Sequence, residues 1–442
     1  MSVFGGPLLE EAEIEELLAR FPGFKGPLPE EARLWTEAEL ELFLASDGRR
    51  RPICSLGGDG RIAAVAGLLS RTRLMLAELR IDSASQEYLS YCRHREQRTN
   101  LCNLPAVASC SPVQRAREVP GTFLVPVTVV PRRARGVEDP KWQSWGSDFW
   151  REHFGMEWCQ CRARWPAFEQ DATTGIDALS VEAGLWEYLD YMQAVEVADA
   201  ACLEEQSLAY PRLQVGDFCP FAGLGRRLFQ ESWREFSPPG VSDLTERWLE
   251  FYTSIFEEVD AATRLSEFYR LSFQAPGCVT RLHRENHNAH VWFTQLEGQR
   301  LFFLFPPEDA VAGRLHEERG GAAPQRSSVE DFATSVSPVD IFFPSQKRHL
   351  GFSEASTQAA LLGAGKSLVV PAGWWWYSVA TQASVTLRHP FWGFENRLGI
   401  VDALWAPFEA KDVPASTRNE VRQRFAELRQ NIVVDDGCRP LE

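Results

Sequence analysis

The segment AGKSLVVPAGWWWYSV, Ala364 to Val379, sets a β-branched run before a Pro-Ala-Gly turn and an aromatic run after it. β-Branched and aromatic residues fit the pleated surface of a strand, and Pro and Gly preset a turn, so two short strands are expected. Trp374, Trp375 and Trp376 follow one another directly, which is unusual even in a chain with 15 tryptophans. The same rhythm runs outward in both directions. FYRLSFQA (268–275), CVTRLH (278–283), HVWFTQL (290–296) and QRLFFLF (299–305) precede the segment, and ASVTLRH (383–389) follows it. Close spacing with turn residues between the runs predicts a small barrel or double sheet.

Around this β-rich stretch the pattern changes. Residues 8–21 and 36–46 read as short helices, and 70–118 as charged and helical or irregular. TFLVPVTVV (122–130) and WCQCRAR (158–164) read as strands, with the helix SDFWREHFG (147–155) between them, closed by Gly155. Residues 184–256 carry helical stretches such as LWEYLDYMQAV and DLTERWLEFYTSIFEEV. The polar, Gly/Ser/Pro-rich segment 307–365 is long enough to be a lid or binding loop. The tail 413–432 reads as an amphipathic helix suited to docking or to forming a homodimer. Three regions are therefore expected: a helical or mixed N-terminal region (1–117), a β-rich domain (118–400) and a helical C-terminal tail (401–442).

Bulk properties exclude several classes. The 442 residues are 44% hydrophobic and 24% charged, a globular balance without the signature of global disorder. A formal charge of -15 argues against nucleic acid as the main partner, and the short basic spots at Arg49–Arg51 and Arg132–Arg135 read as solvated loop charge. Ten cysteines include no CxxC pair, and the CxC of Cys159 and Cys161 lacks a second pair to complete a zinc site. Buried free thiols in a reducing compartment are the expectation. The N-terminus is acidic and amphipathic, without the basic start and apolar core of a secretory signal. No run approaches about 18 apolar residues, so no membrane span is expected. The chain is thus expected inside the cell, in the cytoplasm or an organelle lumen.

The chemistry centres on VTRLHRENH, Val279 to His287. On an extended strand residues i and i+2 share a face, so His283 and Glu285 would converge. Such an H-x-E pair with one distant His makes the facial triad of non-haem Fe(II) oxygenases. By itself the pair is weak evidence, because a charged surface strand reads the same way.

Three blocks in order, Thr280 to Glu285, Gln295 to Pro307 and Gly365 to Trp392, resemble the JmjC/cupin-like 2-oxoglutarate oxygenases, most of all the branch that includes the asparaginyl hydroxylases. FWREHFG and the YPRL of 210–213 also look like family features, and the resemblance covers roughly 118–395. It implies a double-stranded β-helix core of mainly β structure with helical additions at both ends, α+β overall. It also implies Fe(II) and 2-oxoglutarate in an active member. His283 and Glu285 match the first two iron ligands, Thr280 a position that helps hold 2-oxoglutarate, and Arg300 the position of the Lys that pairs with its distal carboxylate. At the third ligand the family places Pro, two variable residues, Trp, one variable residue and His. Here Trp376 stands where that His belongs, and an indole has a donor N–H but no lone pair for a metal. His389 in the last core strand is the leading substitute, with His349, His287 and His290 behind it.

A shorter resemblance links 33–67 to cytochrome b5-like domains, without the tyrosines that meet haem in that family. Two ligand positions kept, one lost and a changed cosubstrate residue imply a non-catalytic protein that binds partners as a scaffold or accessory subunit, with no cofactor. The alternative is an active hydroxylase of a protein side chain or small molecule. A third reading is a metal-free pocket that takes an apolar ligand against Trp374 to Trp376.

Overall fold

The computed structural model describes residues 11–28, 37–45, 111–119, 124–129, 144–163, 179–201, 213–256, 260–319, 335–339, 341, 347–409 and 415–435. Among these, sixteen strands form two sheets. In chain order they are β1 (Ser111–Pro112), β2 (Gln114–Ala116), β3 (Val127–Val129), β4 (Trp158–Ala163), β5 (Leu179–Gly184), β6 (Leu213–Phe218), β7 (Arg270–Gln274) and β8 (Val279–Arg284). The series continues with β9 (His290–Glu297), β10 (Gln299–Phe305), β11 (Glu318–Arg319), β12 (Ser335–Val336), β13 (Gln358–Gly363), β14 (Ser367–Val370), β15 (Trp375–Ala380) and β16 (Ser384–Phe391). One sheet has the order β1-β13-β10-β15-β8-β12-β11, the other β2-β3-β14-β9-β16-β7-β6-β4-β5.

Successive core strands alternate between the sheets: β7 lies in the larger, β8 in the smaller, β9 in the larger and β10 in the smaller. This is the double-stranded β-helix that the family resemblance implies, and it agrees with the double sheet expected from the spacing of the runs, within an α+β chain. Most core strands are buried on both faces, which is why they read as nearly continuous apolar runs rather than alternating ones. β10 shows the division. Arg300, Phe302 and Leu304 face the space between the sheets, while Leu301, Phe303 and Phe305 join a cluster on the outer face. The outer face of the larger sheet carries the main core, where Phe273, Trp292 and Leu387 pack with Trp150, Tyr188 and Trp248 from the helical layer.

The Trp run is split by the same alternation. Trp375 belongs to the outer cluster, whereas Trp374 and Trp376 belong to the inner one. The three rings are 6%, 0% and 3% exposed in order, so they do not present one ligand-binding surface. Trp374 also donates its indole N–H to the Leu124 carbonyl at 3.0 Å. Two glycines fix the turns. Gly373 takes φ +84° in the Pro-Ala-Gly turn, and a Cβ on Gly298 between β9 and β10 would lie 1.7 Å from the Ala383 carbonyl oxygen.

Several expectations change. The 307–365 segment is not all loop: β13 pairs antiparallel with β10 over six residues and is a core strand. Its small residues, QAALLG, hid it, because β propensity is low for Ala and Gly and only packing against Phe302 and Leu304 supplies the drive. β6 lies within the stretch read as helical, and Ser111–Ala116, read as irregular, adds one short parallel strand to each sheet. The C-terminal helix, Ala415–Val434, does dock, but onto its own chain. Phe425, Leu428 and Ile432 are buried against the helix Thr245–Phe256, and Arg247 grips Asp435 with contacts of 2.6 and 2.7 Å. Part of the stripe read as suited to docking or to forming a homodimer is thus packed within the chain, while Val433 and Val434 at its end stay exposed.

Helices Glu11–Arg20 and Glu37–Ala45 share a small cluster of Ile14, Leu17, Leu40, Phe43 and Leu44. Most of 33–67, including the stretch similar to cytochrome b5-like domains, lies outside the described residues. Cys159, Cys161 and Cys278 are buried free thiols. No described helix is long and apolar enough to cross a membrane.

Candidate functional site

The site is built from the inner faces of β8, β10, β15 and β16. Pairing of β15 with β8 sets Trp376 opposite His283 and Ser378 opposite Thr280. His283 and Thr280 are three residues apart and Trp376 and Ser378 only two, so a register shift is needed between them. That bulge is what turns both Thr280 and His283 inward.

His283 is 2% exposed, and its ring lies 4.2 Å from that of Trp376. His283 Nδ1 donates to the Arg281 carbonyl at 2.8 Å, since a carbonyl can only accept, and this puts the lone pair of the neutral ring on Nε2. Glu285 follows directly after β8. Both of its oxygens are taken by the chain itself. Trp376 Nε1 donates to Oε1 at 3.1 Å, and Arg388 Nη2 donates to Oε2 at 2.5 Å. The Arg388 and Glu285 side chains are 10% and 8% exposed, so the ion pair is shielded from solvent, with Asp217 4.0 Å from Arg388 Nη1 as a second acid.

Further along the interior, Arg300 Nη2 donates to Ser378 Oγ at 2.6 Å and Thr280 Oγ1 at 3.2 Å. Arg300 is 2% exposed, its Nε has no partner, and no ion pair to an acid is made by it among the described residues. Burial pushes its pKa down to about 9, as expected for a cation with no compensating charge. Thr280 also accepts from Gln274 Nε2 at 3.3 Å, and Gln274 bonds Gln214 at 2.6 Å, so the hydroxyls around Arg300 belong to a buried amide network. Beside this polar end the interior is apolar, with Phe293, Phe302, Leu304, Leu368 and Val370 packed round Trp376.

The structure therefore brings together Thr280 with Arg300, and His283 with Glu285 and Trp376. His389, expected as a third ligand, lies on the other face of its strand from Arg388. His389 and Arg388 are neighbours in one strand and face opposite ways. Arg388 faces in to Glu285, while His389 faces out, stacked on Tyr269 at 4.0 Å with Nε2 2.9 Å from Asp243 Oδ2. Burial works to raise the Asp243 pKa, but His389 and Thr245 outweigh it and hold the carboxyl below its ordinary value. His290 Nδ1 accepts the Ala372 N–H at 2.9 Å, and burial lowers its pKa to about 4. His349 lies 5.3 Å from the ring of His316, and the His287 carbonyl accepts from Trp392 Nε1.

Among the described residues no three His, Cys, Asp or Glu side chains converge as a metal-holding group. Residue-type reasoning missed Arg388 and Ser378. The signal was there in the period of two: Ser378 lies two residues beyond Trp376, and Arg388 lies on the face opposite His389. No curated protein matches this chain. Residues 236–396, which contain β7 through β16 and with them Thr280, His283, Glu285, Arg300, Trp376 and Arg388, match the family model of a cupin-like domain.

Proposed function

We propose that this cupin-like protein acts by binding, as a scaffold or accessory subunit, and not as an Fe(II)- and 2-oxoglutarate-dependent hydroxylase. The observation that supports it is the Glu285 carboxylate. A carboxylate that ligates a metal gives its negative charge to the ion, and here that charge is already met by the Arg388 guanidinium on one oxygen, while the Trp376 indole N–H bonds the other. Trp376 supplies a donor where the resemblance asks for an acceptor, and its ring packs against His283. A reducing, intracellular compartment fits the buried free thiols Cys159, Cys161 and Cys278.

A second reading has one observation of its own. Arg300 is a buried cation held by hydroxyls, and it makes no ion pair with an acid among the described residues. An organic carboxylate would complete it, as the distal carboxylate of 2-oxoglutarate would in a working hydroxylase. An active enzyme of a protein side chain or small molecule would then use His283 and Glu285 after Trp376 and Arg388 had moved away.

Metal analysis of the purified chain, with succinate formation from 2-oxoglutarate measured under added Fe(II), separates the two. The binding role predicts no stoichiometric iron, no turnover, and co-purification with a defined protein complex. Stoichiometric iron with succinate formation that disappears in His283→Ala would sink it.

A further inference from the structure

We propose that Arg388 is a built-in counter-cation which closes the metal position of this site independently of Trp376. This deepens the reading given above and rests on it. A carboxylate as buried as Glu285 needs a positive partner, because an unpaired charge in a protein interior is strongly disfavoured. In a metal-binding cupin-like site the ion itself supplies that charge. Here it comes from the opposite sheet: Glu285 follows β8 of the smaller sheet, and Arg388 reaches it at 2.5 Å from the inner face of β16 in the larger. The pair is almost out of water, and Asp217 at 4.0 Å adds a second acid to the same guanidinium.

Two separate changes thus oppose a metal. Trp376 removes a ligand, and Arg388 satisfies the charge of a remaining one. Restoring an imidazole at position 376 would return a donor but leave a guanidinium on Glu285. An incoming divalent ion would have to displace that guanidinium or sit beside it, and like charges at such range repel strongly. The site should reopen only when both residues change. His389 plays no part, since it lies on the outer face with Asp243.

The test uses Co(II) alone as probe, read by its visible absorption and by metal content after dialysis, on the full chain and on W376H, W376H/R388K and W376H/R388Q. Near-ultraviolet circular dichroism checks each fold. The expected order places W376H/R388Q about 10–100-fold tighter than W376H, the range by which groups bonded to metal ligands alter affinity. W376H/R388K, which keeps the charge, stays close to W376H. Equal affinity of W376H and W376H/R388Q overturns the role of Arg388 and leaves the closed-site reading standing. Equal affinity of the Lys and Gln forms overturns it too, because charge would not be the cause. Stoichiometric Co(II) at His283 and Glu285 in the unaltered chain overturns both proposals. Should the double variants not fold, a thermal-shift cycle of E285Q, R388Q and E285Q/R388Q replaces them. The pair form must lose less than the sum of the singles; additive losses overturn the pairing.

Discussion

Arg300 and Arg388 are both buried in the interior of one β-sandwich, yet they are held in different ways. Arg388 is 2.5 Å from the Glu285 carboxylate, with Asp217 beyond it, so the protein supplies its counter-charge. Among the described residues Arg300 has the hydroxyls of Ser378 and Thr280, a network of glutamines behind them and the Phe302 ring 5.1 Å from its guanidinium carbon, and no acid. The difference teaches what meets each buried charge. At the Glu285 end a carboxylate balances the buried cation, and at the Arg300 end neutral groups hold it among the described residues.

The most direct way to break that contrast is to remove Arg388. Arg388→Met leaves Glu285 as a buried unpaired charge, and its stability should fall by about 3–5 kcal/mol in urea titrations, a loss Arg300→Met should not show. Such comparisons need a controlled pH. His290 accepts the Ala372 N–H and is neutral when folded, with its pKa lowered from 6.5 to about 4. The unfolded chain therefore takes up a proton there first, so stability is lost as pH falls from 6.5 towards 4, by about 3 kcal/mol at most. His290→Asn, which can keep an acceptor but does not titrate, should flatten the pH dependence of the urea midpoint across that window. The next effect sharpens the Glu285 end. Trp376→Phe keeps an aromatic ring but drops the indole N–H, and should cost about 1–3 kcal/mol in the same assay. The smallest effect is expected at Arg300. Exchanging an uncompensated buried cation for Met should change stability by no more than about 1 kcal/mol, while abolishing any protection that small dicarboxylates give against thermal unfolding.

Much of the fold was legible because the core strands carry their drive in their own residues. HVWFTQL, QRLFFLF and ASVTLRH are β-branched, aromatic and bounded by turns, and each became a strand of the double-stranded β-helix. β13 was not legible. QAALLG has little local preference, and it is a strand because the open edge of β10 pairs with it. Trp376, which the family resemblance sets at a ligand position, stands opposite His283 in the paired strands. Partners were less legible. His389 looked like a ligand as a residue type, but strand alternation turns it to Asp243 and brings its neighbour Arg388 to Glu285.

The sequence by itself determined that this chain builds a double sheet and that His283 and Glu285 fall just before a pair of joined strands, and these follow from local propensity and from spacing along the chain. That Trp376 stands on a ligand position is what the family resemblance implies, and it follows from no local preference. Only the tertiary structure decided which charge meets which. Glu285 and Arg388 are 103 residues apart and belong to different sheets, so nothing local couples them. Their pairing depends on the bulge in β8, on the face that β16 turns inward, and on the exclusion of water that makes a buried carboxylate take the nearest cation.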